Sequence, residues 1–336
     1  MKVAAKDDPW PLDEPNLSGL SRAVPLPNPN LAPSPTLLTT EAWSDYGLID
    51  SGGGLKLERY GQVQVIRPEP QAWWQPRHAE AVWRQAQARF DPTDEEDDGR
   101  WKIDGRAPPE AWTLGWDKVR FRARLTPFRH LAFFPEQAAN WAFLRDTVSI
   151  QAAQAAAENR PFRVLNLFGY TGVASLVCAA AGAHVTHLDA SKKSVGYARE
   201  NADLSGLSAA PIRWMCEDAR RYASRELKRG SFYDGIILDP PKYGRGPGGE
   251  VWRLAEDLPE LVDTCAKLLS DRAEFLIVNA YAARVSGLSL AHLLAEKLAG
   301  RGGGIDYGEL ALAEEAGDPC RAFGLSFFAR WRRALG

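Results

Sequence analysis

The sequence predicts an α/β chain, a doubly wound and mostly parallel seven-stranded sheet preceded by a small β-rich region. Three observations predict it. From about residue 130, short apolar runs alternate with helical stretches, the rhythm of a parallel sheet with helices on both faces. Upstream, residues 41–127 carry strands that alternate apolar and polar side chains. Residues 1–40 do neither, being rich in Pro, Asn, Ser and Asp, and read as a flexible, Pro-rich lead segment with too little apolar surface to offset its ordering entropy.

Within 41–127, the stretch 55–66 alternates and is broken by a turn at Tyr60-Gly61, and 119–125 alternates cleanly as a half-exposed strand. The acidic run 94–98 reads as a solvated loop. Trp73, Trp74, Trp83, Trp101, Trp112 and Trp116 crowd this region and serve either as core packing or as stacking platforms for bases. Arg120, Arg122 and Arg124 share one strand face, a solvated edge or a phosphate contact.

From 128 to 336 the predicted order is helix 135–158, strand 162–167, helix 171–181, strand 184–188, helix 191–204, strand 212–216, helix 219–228 and strand 234–238. Helix 252–269, strand 274–279, helix 288–298 and strands 305–312 and 323–329 complete it. The last two strands are joined by a loop, which predicts an antiparallel edge.

Composition narrows the classes. At 336 residues and 45% hydrophobic, the chain buries a core without disulfides or metal. Net charge is −2, so no global basic field announces nucleic acid. The four cysteines form no C-x-x-C pair and no zinc spacing, and read as reduced thiols of a cytoplasmic protein. No apolar run reaches the ~20 residues of a membrane span, and no apolar segment follows Lys2 as in a secretory signal.

In such a sheet, ligands sit at the carboxyl ends of the strands, where the strand order reverses. The first strand ends in Asn166-Leu-Phe168-Gly169-Tyr170-Thr171-Gly172, two glycines three apart opening into a helix. This suits a nucleoside with a carboxylate better than a pyrophosphate. The second ends in Asp189, an acceptor for a ribose diol or a helix cap. The third ends in Asp218, an acceptor for an adenine amine or, equally, the cap of the next helix. The fourth ends in Asp239-Pro-Pro-Lys242-Tyr243, a loop made rigid by two prolines that offers an acceptor, a cation and a ring to a flat acceptor molecule. A Gly/Arg-rich loop, 244–250, follows and is placed to close over it.

Taken in order, these strand ends resemble class I S-adenosylmethionine-dependent methyltransferases, whose fold is Rossmann-like. More closely, Leu165-Asn-Leu-Phe-Gly-Tyr-Thr-Gly172, Leu188-Asp189, Asp239-Pro-Pro-Lys242 and His130-Leu-Ala-Phe-Phe-Pro-Glu-Gln137 resemble the bacterial large-subunit rRNA methyltransferase group of cytosine-C5 and guanine-N7 enzymes. The resemblance covers about residues 119–330. It implies S-adenosyl-L-methionine as cofactor, held by Phe168, Gly169, Tyr170, Thr171, Gly172, Asp189 and Asp218, and adds Phe134 and Gln137 to that set. It implies Asp239, Lys242 and Tyr243 toward the acceptor, RNA (rRNA foremost) as partner, and allows a homodimer.

Two departures stand out. The group's cytosine-C5 members carry an N-terminal RNA-binding PUA domain, which residues 1–118 do not match, and a cysteine nucleophile after the fifth strand. Here that stretch reads Leu276-Ile-Val-Asn279-Ala-Tyr281. Methylation of a base nitrogen, which needs no covalent adduct, is therefore the expected reaction. The alternatives are a protein or small-molecule acceptor, and an RNA-binding assembly factor that keeps the cofactor pocket. A nicotinamide enzyme would want the third glycine of G-x-G-x-x-G.

Overall fold

The computed structural model describes residues 30–93, 99–281, 285–317 and 320–334. The acidic run 94–98 and residues 1–29 of the lead segment lie outside the described residues. The chain opens with β1 (Thr36–Thr40), β2 (Tyr46–Gly52), β3 (Leu55–Tyr60), β4 (Val63–Pro68), the short α1 (Glu80–Trp83), β5 (Ala88–Pro92), β6 (Gly99–Ile103), β7 (Trp112–Trp116) and β8 (Val119–Ala123). A 3-10 turn, Pro135–Gln137, leads into α2 (Ala138–Ala157). Then come β9 (Arg163–Leu167), α3 (Val173–Ala180), β10 (His184–Asp189), α4 (Lys192–Leu204), β11 (Ile212–Cys216), α5 (Ala219–Lys228) and β12 (Gly235–Leu238). The chain finishes with β13 (Tyr243–Arg245), β14 (Val251–Arg253), α6 (Leu254–Leu268), β15 (Phe275–Tyr281), α7 (Gly287–Lys297), β16 (Gly304–Ala313) and β17 (Ala322–Arg332).

The main sheet has the order β1-β16-β17-β15-β12-β9-β10-β11. All its pairings are parallel except those of β17, which runs antiparallel to both β15 and β16. This corrects two expectations. The antiparallel strand lies inside the sheet rather than at its edge, because the loop after β16 returns the chain between β16 and β15. The sheet also has an eighth strand: residues 36–40, expected to be flexible, pair with β16 from Thr36–Gly308 to Thr40–Leu312. Backbone hydrogen bonding to an open edge, not side-chain burial, orders this strand, so composition does not reveal it.

Successive residues of the central strands bury on opposite faces. Val164, Val185, Ile237, Phe275 and Ile277 pack with α2 and α3 on one side. Leu165, Leu167, Leu188, Ile236, Leu238, Leu276 and Val278 pack with α5, α6 and α7 on the other. Each such side chain contributes about 1.5–3 kcal/mol of burial, which makes this sheet the rigid frame of the molecule. Three helices have hydrogen-bonded starts: Asp218, offered by the sequence as a cap, and with it Ser191 and Ser286, each accept from a backbone N–H three residues on.

The N-terminal region is β-rich, a five-stranded sheet β2-β3-β4-β5-β6 beside the hairpin β7–β8. Its inward residues Tyr46, Leu48, Tyr60, Val65, Leu114 and Phe121 join the same buried cluster as Trp141 and Leu144 of α2. The region thus shares its core with the α/β part. The tryptophans follow suit: the indole N–H groups of Trp74, Trp83, Trp101 and Trp112 donate to Ser51, Asp50, Thr126 and Tyr60, and Trp116 packs edge-on against Trp141 at 5.7 Å. Of the six, Trp73 alone is largely exposed, at 86%.

Candidate active site

The strand order reverses at β9, which has β10 on one side and β12 on the other. The residues after these three strands converge there. After β9 the chain makes a tight turn in which Phe168 (φ 59°), Tyr170 (φ 47°) and Gly172 (φ 86°) are left-handed. Two left-handed non-glycine residues carry strain of order 1–3 kcal/mol each and need fixed neighbours. These are present. The Tyr170 N–H donates to Asp189 (2.9 Å), the Thr171 hydroxyl donates to the Ala132 carbonyl (2.6 Å), and Asn201 donates to the Thr171 carbonyl (2.9 Å). The glycines are required by packing: a Cβ on Gly169 would lie 2.5 Å from the His187 ring, and one on Gly172 2.8 Å from Ala198.

This turn forms one wall of a cleft of about 90 Å³. The opposite wall is Phe133, Phe134, Gln137, Asn140, Trp141 and Leu144, and Asp239 and Asn279 close the end. Of the residues the sequence proposed, Phe134, Gln137, Phe168, Gly169, Tyr170, Thr171, Gly172 and Asp239 meet here. The hydroxyl of Thr40, on the added edge strand, donates to the Glu136 carbonyl and braces the turn that carries Phe134 and Gln137.

The end of the cleft is a polar network. Gln137 Nε2 donates to Asp239 Oδ2 (3.1 Å), and Asn140 Nδ2 donates to Gln137 Oε1 (2.9 Å) and to Asn279 Oδ1 (3.1 Å). Burial pushes the Asp239 carboxyl up, the negative charge of Glu136 adds to the effect, and a hydrogen bond from Asn279 opposes it, leaving the group at about 7.

The other proposed residues stand apart. Asp189 flanks the glycine turn, its two oxygens accepting from the N–H groups of Tyr170 and Ser191 (2.9 and 2.8 Å). Burial nonetheless raises its carboxyl above the usual range. Asp218 caps α5 through the Arg221 N–H (3.0 Å), with its second oxygen 3.6 Å from Arg220. Lys242 and Tyr243 are exposed. The segment after them, expected as a loop, is the β13–β14 hairpin, pinned to the body by Trp252 donating to the Pro241 carbonyl (2.7 Å) and by an Arg221–Glu250 ion pair. Here the polar and glycine-rich sequence hid a short pairing of Tyr243–Arg245 with Val251–Arg253.

Sequence reasoning missed Asn140 and did not assign a role to Asn279. Asn140 carried a signal, since it lies one helical turn after Gln137 and so on the same face. It also passed over the ring cluster beside the cleft: His130 stacks on Phe128 (5.6 Å) and meets Phe134 (5.2 Å) and Tyr170 (5.5 Å). Burial, then the charges of Arg67 and Arg129, lower the His130 imidazole to about 4, so the ring is neutral. None of the four cysteines lines the cleft: Cys178 and Cys265 are buried in helices, Cys216 sits by the Ala190 carbonyl, and Cys320 by that of Glu314. Two of the three arginines of the strip are ion-paired, since Arg122 and Arg124 both meet Glu200 (3.3 and 3.0 Å), while Arg120 donates to the Asp117 and Val119 carbonyls (3.0 and 3.1 Å).

A seven-strand order with an inserted antiparallel strand, extended by one edge strand and carrying a glycine turn at the switch point, defines a class I methyltransferase fold. Comparison with known proteins agrees. Residues 75–282 match the family model for S-adenosylmethionine-dependent methyltransferases, and the chain belongs to that family. A S-adenosylmethionine-dependent methyltransferase from Agrobacterium tumefaciens superposes with a TM-score of 0.85 at 46% identity, over 91% of this chain and 96% of that one. Ribosomal RNA large subunit methyltransferase K/L of Shewanella frigidimarina is 35% identical over 118 residues, 34% of this chain and 16% of that protein. Ribosomal RNA large subunit methyltransferase I of Photobacterium profundum is 28% identical over 164 residues, 48% of this chain and 36% of that protein. The chain therefore spans well under half the length of these two relatives. Among the described residues no helix is long and apolar enough to cross a membrane, and no cluster of potential metal ligands occurs.

Proposed function

We propose that this methyltransferase modifies a base nitrogen in RNA, ribosomal RNA foremost, with Asp239 at the reacting end of the cleft. The residues fit the cofactor's chemistry. Asn140 Oδ1 is buried in the cleft wall without a partner, and each Asp189 oxygen retains a lone pair beyond its backbone N–H, enough for a ribose diol. Phe134, Gln137 and residues Phe168–Gly172 would hold the methionine end and Asp189 the ribose. Asp218 would meet the adenine amine with the one oxygen that its helix cap leaves over. When bound, S-adenosylmethionine supplies a methyl group already activated by its sulfonium.

What remains for the protein is orientation, exclusion of water and a proton acceptor. Pro240 and Pro241 fix Asp239, whose proton affinity lies near neutrality, so it can accept the proton that a base amine releases as its lone pair attacks. Lys242 and Tyr243 would face the acceptor's backbone and ring from the hairpin. The observation that carries the nitrogen assignment is the absence of all four cysteines from the cleft, with Asn279 and Tyr281 where the cytosine-C5 enzymes resembled place a thiol. The nucleic-acid assignment is supported by the names of the two rRNA-modifying relatives and by the Phe128–His130–Phe134–Tyr170 rings, which offer a base a stacking surface worth about 1–3 kcal/mol.

The test is mass spectrometry of rRNA nucleosides from cells lacking this chain, with and without the purified enzyme and labelled cofactor. An N-methylated base restored by the enzyme is expected. A C-methylated pyrimidine, trapped as a protein adduct on fluorocytosine RNA, would overturn the nitrogen assignment. Label that enters only small metabolites would instead support a small-molecule acceptor, the reading favoured by the pairing of Arg122 and Arg124 with Glu200.

A further inference from the structure

Asn140 is 3% exposed and lines the cleft, yet its Oδ1 has no hydrogen-bond partner. A buried carbonyl left unpaired is destabilising by about 1–3 kcal/mol, so an orphan in a cleft wall points to an occupant that completes it. The orientation of the amide follows from its neighbours. In its ionised form the Asp239 carboxylate accepts only, and Gln137 turns Nε2 toward it and Oε1 away. Gln137 Oε1 then accepts from Asn140 Nδ2 (2.9 Å) and from Asn279 Nδ2 (3.4 Å). With its Nδ2 turned that way, Asn279 presents Oδ1 to Asn140 and takes the same Asn140 donor (3.1 Å), and Asn140 Oδ1 is what remains.

We propose that Asn140 is a positioning residue whose Oδ1 accepts a hydrogen bond from an N–H of the molecule in the cleft, held in that sense by the relay from Asp239 through Gln137. This rests on the reading of the cleft as the methyl-transfer site. The N–H has two chemical sources, the α-ammonium of the cofactor's methionine and the amine of the acceptor, and the same acceptor would serve either.

Three variants separate the outcomes. Asn140→Leu keeps the volume and removes the acceptor, and Asn140→Asp keeps an acceptor oxygen and removes both relay donors. Asn140→Ala replaces the leucine variant should that one not fold, as judged by thermal melting. Calorimetric titration with S-adenosylmethionine, and with its analogue lacking the α-amine, reads the first source. KM and kcat toward RNA at saturating cofactor read the second. If the ammonium is the partner, Asn140→Leu weakens cofactor binding roughly 10- to 150-fold, the span of ~1.5–3 kcal/mol for a hydrogen bond to a charged group. The deaminated analogue then binds wild type and variant alike. If the acceptor amine is the partner, cofactor affinity holds and kcat/KM for RNA falls by a similar factor. In either case Asn140→Asp recovers most of the loss, which a role confined to the relay donors would not allow. Unchanged cofactor affinity together with unchanged kcat/KM in Asn140→Leu overturns the proposal, as does failure of Asn140→Asp to recover. A wild-type enzyme that binds cofactor but leaves RNA unmethylated refutes the substrate assignment alone, and the cofactor arm still decides the role of Asn140.

Discussion

Two buried carboxylates, one in the N-terminal sheet and one at the end of the cleft, meet opposite fates. Glu58 of β3 is fully enclosed, and burial pushes its carboxyl up. Arg67, Lys56 and the hydroxyl of Tyr46 outweigh that and hold it at about 2. Arg67 grips both oxygens (2.6 and 2.7 Å), and Tyr46 and Tyr60 donate to one of them (2.9 and 3.0 Å). Asp239 is half-buried by its surface exposure and has no cation against it, and Glu136 adds a like charge. The first network is closed and serves the fold. The second is left short of donors, and that shortage is what a reacting group with a proton affinity near 7 requires.

Substitution at Asp239 sharpens this contrast most. Asp239→Asn removes the proposed proton acceptor and is expected to lower kcat by about 10²- to 10⁴-fold. Its effect on stability has the opposite sign. A carboxyl whose folded-state value, about 7, lies above its ordinary 3.8 binds more protons in the native state than in the unfolded one. Stability is then lost as pH rises from about 4 through about 7. The variant is spared that loss, so calorimetric melts should show it at least as stable as wild type at pH 8 and no better at pH 4. A variant less stable at pH 8 would place Asp239 with Glu58 among the structural charges.

Glu58→Gln tests the other side. It strands Arg67 in the interior, a change that typically destabilises by about 3–5 kcal/mol. A large drop in the denaturation midpoint is expected. Because Glu58 is depressed from 4.5 to about 2, its contribution is present above about 4.5 and is lost as pH falls through about 2. A midpoint within error of wild type would show that the closed network is dispensable.

Asp189→Ala should weaken S-adenosylmethionine binding by roughly 10- to 150-fold, the value of ~1.5–3 kcal/mol for hydrogen bonds to a carboxylate. It also removes the anchor of the strained Tyr170 turn, so titration calorimetry should be paired with a melt. Unchanged affinity in a folded variant would remove Asp189 from the site. The smallest effect belongs to Arg122 and Arg124. Because the single Glu200 carboxylate pairs with both and offsets only one of their two charges, replacing both with Gln should lower the salt slope of the proposed RNA binding by about one at most. A slope reduced by about two would show that the pairs open to bind phosphate.

The main sheet was legible in the sequence because each strand's apolar residues serve two faces in strict alternation, as Ile236, Ile237 and Leu238 do. The strand ends were legible for the same reason: glycines, aspartates and the Pro240-Pro241 pair fall where alternation stops. Less visible was β1, whose burial is slight and whose ordering comes from backbone pairing with β16. Asp218 shows the limit of a strand-end rule, since one carboxylate can cap a helix and read a ligand, and here the cap takes one oxygen.

By itself, then, the sequence determined the α/β architecture, the glycine turn after the first strand and the acids after the second, third and fourth, all of which depend on neighbours within one strand or one helical turn. Only the tertiary structure decided which polar atoms were left over. Gln137 finds Asp239 across 102 residues and Asn140 finds Asn279 across 139. Hydrogen-bond satisfaction is a sum over every group that surrounds an atom in space, so the unpaired oxygen of Asn140 and the uncompensated charge of Asp239 exist only once those distant segments have met.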